Sequence, residues 1–149
     1  MRECGECNLC CKVLNIPEYN APAGTMCEHC TDKGCSIYEE RHDICRGFSC
    51  LWLSQPQIPE SLRPDKSGIL FELPAGGMTY IGHLIEEDAL NKPEIQIFID
   101  KIAEAGHPVL IQDTRTNKKM YKLAQNWTKE MVQIDVAKMI KKHQEEGRI

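Results

Sequence analysis

The hydrophobic positions of this chain change character near residue 68. Beyond that point they fall into periodic blocks, and before it they are broken by cysteine, proline and glycine. Positions 69–73 and 79–85 read as two strands around Pro74-Ala75-Gly76-Gly77, a hairpin signal. Ile95, Phe98, Ile99 and Ile102 then recur at the spacing of one helix face. Asn91 and Glu94 read as a capping box at the start of that helix, and Gly106 followed by Pro108 ends it. Positions 109–113 and 119–123 read as a second strand pair about Thr116-Asn117. A last helix is predicted over 129–145, with Met131, Ile134, Met139 and Ile140 among its apolar positions.

The order strand, strand, helix, strand, strand, helix predicts an α+β fold, with a small antiparallel sheet covered by two helices. Residues 68–149 form this part. Residues 1–54 are expected to be a cysteine-cluster module of loops and short helices packed on the sheet. Residues 55–67, with Pro56, Pro59 and Pro64, read as a linker or wrapping loop between them. Within the first module, positions 15–26 read as a loop and positions 37–42 as a short helix. Tyr38, Phe48 and Trp52 are expected to pack around a metal centre in this module rather than to stack on a substrate.

That module holds all nine cysteines of the chain: Cys4, Cys7, Cys10, Cys11, Cys27, Cys30, Cys35, Cys45 and Cys50. An odd count, the adjacent pair Cys10-Cys11 and the lack of an export signal argue against a disulfide framework. Thiols two residues apart, as in Cys4-x-x-Cys7-x-x-Cys10 and Cys27-x-x-Cys30, suit tetrahedral zinc, with His29 as an alternative ligand. Nine thiols exceed one such shell, so two or more ions, or a polynuclear cluster, are predicted. The adjacent Cys10 and Cys11 diverge and could serve different metals.

Iron is the alternative. Cys4, Cys7 and Cys10 match the first three ligands of a bacterial ferredoxin repeat, but Leu14 stands where the fourth would fall. Cys45 or Cys50 would have to complete an iron–sulfur site. Zinc is preferred, an iron–sulfur redox or radical component is the second reading, and a metal carrier is the third. Thiol redox chemistry at a Cys-x-x-Cys pair is disfavoured, because no strand precedes Cys4.

The run Cys4-Gly5-Glu6-Cys7-Asn8-Leu9-Cys10-Cys11, followed by Cys35-Ser36-Ile37-Tyr38 and Cys45-Arg46-Gly47-Phe48-Ser49-Cys50, resembles the CxxCxxCC zinc- or iron-chelating family, the YkgJ-like cysteine-cluster proteins. Residues 22–30 are similar to its bacterial branch. The resemblance spans about a third of the chain and implies Cys4, Cys7, Cys10, Cys11, Cys27, Cys35, Cys45 and Cys50 as ligands, with Cys30 as a ninth. His42 departs from the Arg-Pro that the family pattern carries, and an exposed turn is expected there. A similar motif in flagellin lysine methylases implies an iron–sulfur role, but this chain has no convincing methyl-donor site.

A formal charge of −4 and a pI near 5.7 argue against nucleic acid as a partner. The basic groups at 117–119 and 138–142 are explained by a turn tip and a solvated helix face. No apolar run is long enough to span a membrane and the first residues lack an apolar signal region, so a cytoplasmic protein is expected. The expected partners are metal ions and a possible protein. His83 reads as a buried, hydrogen-bonded strand residue and His107 as a helix-ending residue. His143 and the Glu86-Glu87-Asp88 run read as solvated. No phosphate loop, nucleophile elbow or dinucleotide fingerprint is present, so the reading leans away from an enzyme.

Overall fold

The structure, a computed structural model, describes residues 4, 7–13, 24–46 and 48–145. The loop expected at 15–26 lies outside the described residues up to position 23, as does the His143 side chain. The cysteine-rich part contains α1 (Cys10–Val13), a ribbon of β1 (Cys30–Thr31) and β2 (Gly34–Cys35), a 3-10 turn at Tyr38–Glu40, and α2 (Asp43–Arg46). Next come α3 (Leu51–Ser54), a 3-10 turn at Glu60–Leu62 and α4 (Pro64–Ser67). The remainder is β3 (Ile69–Glu72), β4 (Tyr80–Leu84), a 3-10 turn at Glu87–Asn91, α5 (Pro93–Glu104), β5 (Val109–Asp113), β6 (Lys119–Lys122) and α6 (Lys129–Glu145). The α+β class and both hairpins follow the sequence pattern.

The sheet itself corrects the expectation. Its order is β3-β4-β5-β6, and the outer pairs are antiparallel, but β4 and β5 run parallel. The physical reason is α5. A helix between two neighbouring strands returns the chain to the end where it began, and the second strand then enters in the first one's direction. A period count sees only that a helix intervenes, so the antiparallel expectation missed this pairing.

One face of the sheet carries the main core. Ile69, Phe71, Leu84, Val109 and Ile111 pack there with Ile95, Ile99 and Ile102 of α5, the face that the apolar period predicts. Phe71 and Phe98 meet edge to face, with centroids 5.0 Å apart. Cys50, Leu51, Trp52, Ile58 and Leu62 belong to the same cluster. The segment expected as a linker or wrapping loop therefore contributes core residues, with Pro64 and Ser67 buried beside them.

Gly82 sits between Phe71 and Ile111 in register, and a Cβ there would lie 2.7 Å from Ile111 Cδ1 and 3.0 Å from Phe71 Cε1. Both neighbours are boxed in by the core, so they have little room to yield. Gly82→Ala is expected to destabilise the fold by about 1–2 kcal/mol despite the entropy it removes from the unfolded chain. A urea midpoint no lower than wild type would contradict this packing.

Three local expectations also change. Asn91 ends a 3-10 turn rather than capping α5, and Lys92 takes the cap position with Pro93 opening the helix. The Lys92 ammonium donates instead to the carbonyls of Lys66 and Ser67, where α4 ends. In α6 the buried residues are Val132 and Met139, while Met131, Ile134 and Ile140 are exposed. This helix is tied to the β3–β4 loop: Asp135 Oδ2 accepts from Met78 N–H, Thr79 N–H and the Thr79 hydroxyl at 3.0, 2.9 and 2.7 Å.

Candidate metal centre

The ribbon β1–β2 is closed by Asp32 and Lys33, with Gly34 at φ 109° and the Thr31 hydroxyl donating to Gly34 O. Its register sets Cys30 opposite Cys35. Cys30 N–H donates to Cys27 O at 3.0 Å, so Cys27-x-x-Cys30 is a tight turn leading into that ribbon. Cys27 N–H in turn donates to Cys11 O at 3.0 Å, and the Asn8 side-chain amide donates to Thr31 O at 2.8 Å. Backbone bonds thus bring Cys11, Cys27, Cys30 and Cys35 into one neighbourhood, although Cys11 is distant in sequence.

The other cysteines gather on the core side. Cys7 N–H closes a turn on Cys4 O at 2.9 Å. Cys10 packs against the main cluster, to which Cys50 itself belongs. Electrostatic neighbours follow the same division except at Cys11, which acts on both Cys4 and Cys10. Cys10 feels Cys4 and Cys7, and Cys50 feels Cys4 and is felt by Cys7. Cys45 feels Cys11, Cys27 and Cys35. Two neighbourhoods result: Cys4, Cys7, Cys10 and Cys50 in one, and Cys11, Cys27, Cys30, Cys35 and Cys45 in the other. They meet at Cys11, which is bonded to Cys10 and also acts on Cys4.

At that junction the Cys10 thiol donates to the Cys11 sulfur, which brings Cys11 down to about 7. The Cys30 thiol and the Arg41 guanidinium act in the same direction. The same bond to Cys11, followed by burial, holds Cys10 well above the ordinary thiol range. Burial raises Cys4, Cys7, Cys27, Cys45 and Cys50, and takes Cys30 up to about 11. All nine cysteines are free thiols. Among the described residues, no three His, Cys, Asp or Glu side chains stand at metal-holding geometry. Thiols suit zinc or iron in kind, but a closed ligand shell is not what is observed among the described residues.

Two arginines to which the sequence reading gave no role stand beside the thiols. Arg41 favours the charged form of Cys4, Cys11 and Cys45. Its Nε donates to Tyr38 O at 2.9 Å, and its guanidinium lies 3.9 Å above the Tyr38 ring. Tyr38 is 47% exposed, so it positions Arg41 rather than packing around a metal centre; Trp52 belongs to the main core, and Phe48 packs against that core. Arg63 also acts on Cys4 and is paired with Asp65, the carboxylate beside Cys7. The sequence signal was there in Tyr38-x-x-Arg41 and Arg63-Pro64-Asp65, where a turn folds each cation back.

The histidines divide differently. His29 is half-buried 3.5 Å from Glu28, and His42 is exposed just ahead of α2. His83 is hydrogen-bonded through Nε2 to Glu72 at 2.6 Å, and His107 lies against the Tyr80 ring with Nδ1 3.0 Å from Met78 O. Glu86, Glu87 and Asp88 are exposed. No described helix is long and apolar enough to cross a membrane. No family model, no curated protein and no solved structure matches this chain, so the resemblance to the CxxCxxCC proteins stands on its sequence motifs alone.

Proposed function

We propose that this is a metal-binding protein of the CxxCxxCC type whose cysteines hold zinc at two sites, as a structural or interaction module. One site draws on Cys4, Cys7, Cys10 and Cys50, and the other on Cys11, Cys27, Cys30, Cys35 and Cys45. The observation that carries the reading is the gathering of nine free thiols about two backbone frames, one of four and one of five, that meet at Cys11, which neighbours both Cys10 and Cys4. Four thiolates satisfy one tetrahedral zinc, and the fifth thiol of the second group leaves one ligand in reserve. Arg41 and Arg63 supply the positive charge that such thiolate groups need in a partly buried setting. Zinc, once bound, supplies cross-links in a segment whose described helices are each a single turn.

The test is metal content and visible spectrum of protein purified without oxygen from cells replete in both metals. About two colourless zinc equivalents are expected, and strong chelation should unfold the module. Iron with acid-labile sulfide and a brown colour would instead establish the iron–sulfur reading. Protein that folds without stoichiometric metal of either kind would overturn both.

A further inference from the structure

Pairing in the second half of the fold assembles a group of side chains that no single segment contains. His83 on β4 faces Gln112 on β5, and Gln112 faces Lys119 on β6. Three polar side chains therefore stand in one row across the sheet, about 4.8 Å apart from strand to strand. Alternation puts them on the side opposite the Phe71, Gly82 and Ile111 row of the main core.

A cavity of about 420 Å³ opens over this row, with Asp113 at the end of β5, Thr114 and Asn117 of the β5–β6 turn, and Gly24 completing its lining. That volume falls within the roughly 300–1,000 Å³ of small-molecule sites. Gly24 has φ +89°, and a Cβ there would come 3.0 Å from Thr114 O. Glycine thus lets the cysteine module's backbone close against the turn, and the cavity lies at the joint between module and sheet.

The charges around the cavity are unevenly matched. Asp113 is engaged by Arg115, whose backbone N–H and guanidinium both donate to it at 2.9 Å. Glu72, outside the lining, is hydrogen-bonded to His83 Nε2 at 2.6 Å, which fixes the imidazole. Lys119 has no ion-pair partner among the described residues. Its ammonium is the uncompensated charge of the lining, and the amides of Gln112 and Asn117 add N–H donors.

We propose that this cavity binds a small anionic metabolite through a carboxylate or phosphate group, held by Lys119 with Gln112 and His83 beside it. The site is separate from the cysteines and does not rest on their holding metal. Its test is an amide chemical-shift titration of the 149-residue chain as purified, at constant ionic strength, with inorganic phosphate and with succinate as probes. Saturable shifts centred on Gln112, Thr114, Asn117 and Lys119 are expected with at least one probe, and the responding probe assigns the anion to the phosphate or carboxylate class. Lys119→Gln, at an exposed position that should leave folding intact, is expected to weaken that binding roughly tenfold. Lys122→Gln removes the same charge from the residue paired with Asp100 and should bind as wild type. No saturable shift with either probe, unchanged binding by Lys119→Gln, or equal weakening by Lys122→Gln would overturn the proposal.

Discussion

Cys7→Ser and Cys35→Ser, made separately, are each expected to remove about one of two metal equivalents and leave the other in place. The two cysteines come from different neighbourhoods: Cys7 stands near Cys10 and Cys50, while Cys35 faces Cys30 across the β1–β2 ribbon. The double variant should then lose both equivalents. Total loss from either single exchange would mean one shared cluster with bridging sulfurs, and no loss from either would remove these residues from the ligand set. The junction pair offers a second comparison, because Cys10→Ser and Cys11→Ser should empty different sites if adjacent side chains serve different ions. Metal analysis of the folded fraction reads all of these outcomes directly. Serine is the appropriate replacement, since it keeps the size of the side chain while removing the thiolate.

The largest effect on stability should come from a residue far from any cysteine. Asp135→Ala is expected to cost about 2–4 kcal/mol, because it orphans the Thr79 N–H and hydroxyl, and Thr79 is fully buried. Met78 is exposed, and its N–H can turn to water, so it contributes less. Asp135→Asn retains an acceptor oxygen in the same place and should lose no more than about 1 kcal/mol. Urea unfolding distinguishes the two: equal losses would mean that the carboxylate acts through charge and not through these three bonds. A near-wild-type Asp135→Ala would mean that α6 docks by Val132 and Met139 alone.

How much of this was legible in the sequence depends on the range of the interaction. Both hairpins and both long helices were visible, because strand alternation, turn residues and the Ile95–Ile99–Ile102 period act within a few residues of one another. The parallel joining of β4 to β5 was not, since it is set by where α5 delivers the chain and not by any local pattern. The capping of α5 misled for a related reason. Lys92 is drawn to the end of α4, a partner that proximity in sequence does not reveal. Among the candidate ligands, the identity of the nine cysteines was open to reading, but their sorting was not, because Cys11 and Cys50 each join residues distant along the chain. The last helix shows the limit of a period count: its exposed Met131, Ile134 and Ile140 are as apolar as the buried Met139.

The parallel pair also implies an order of assembly. The β3–β4 and β5–β6 hairpins can each close locally, whereas β4 can meet β5 only after α5 has folded back across the sheet. The middle of the sheet is therefore a seam, sealed later than either of its halves. Because His83 and Gln112 face each other across that seam, the polar row they share comes into being only when this slowest join is made.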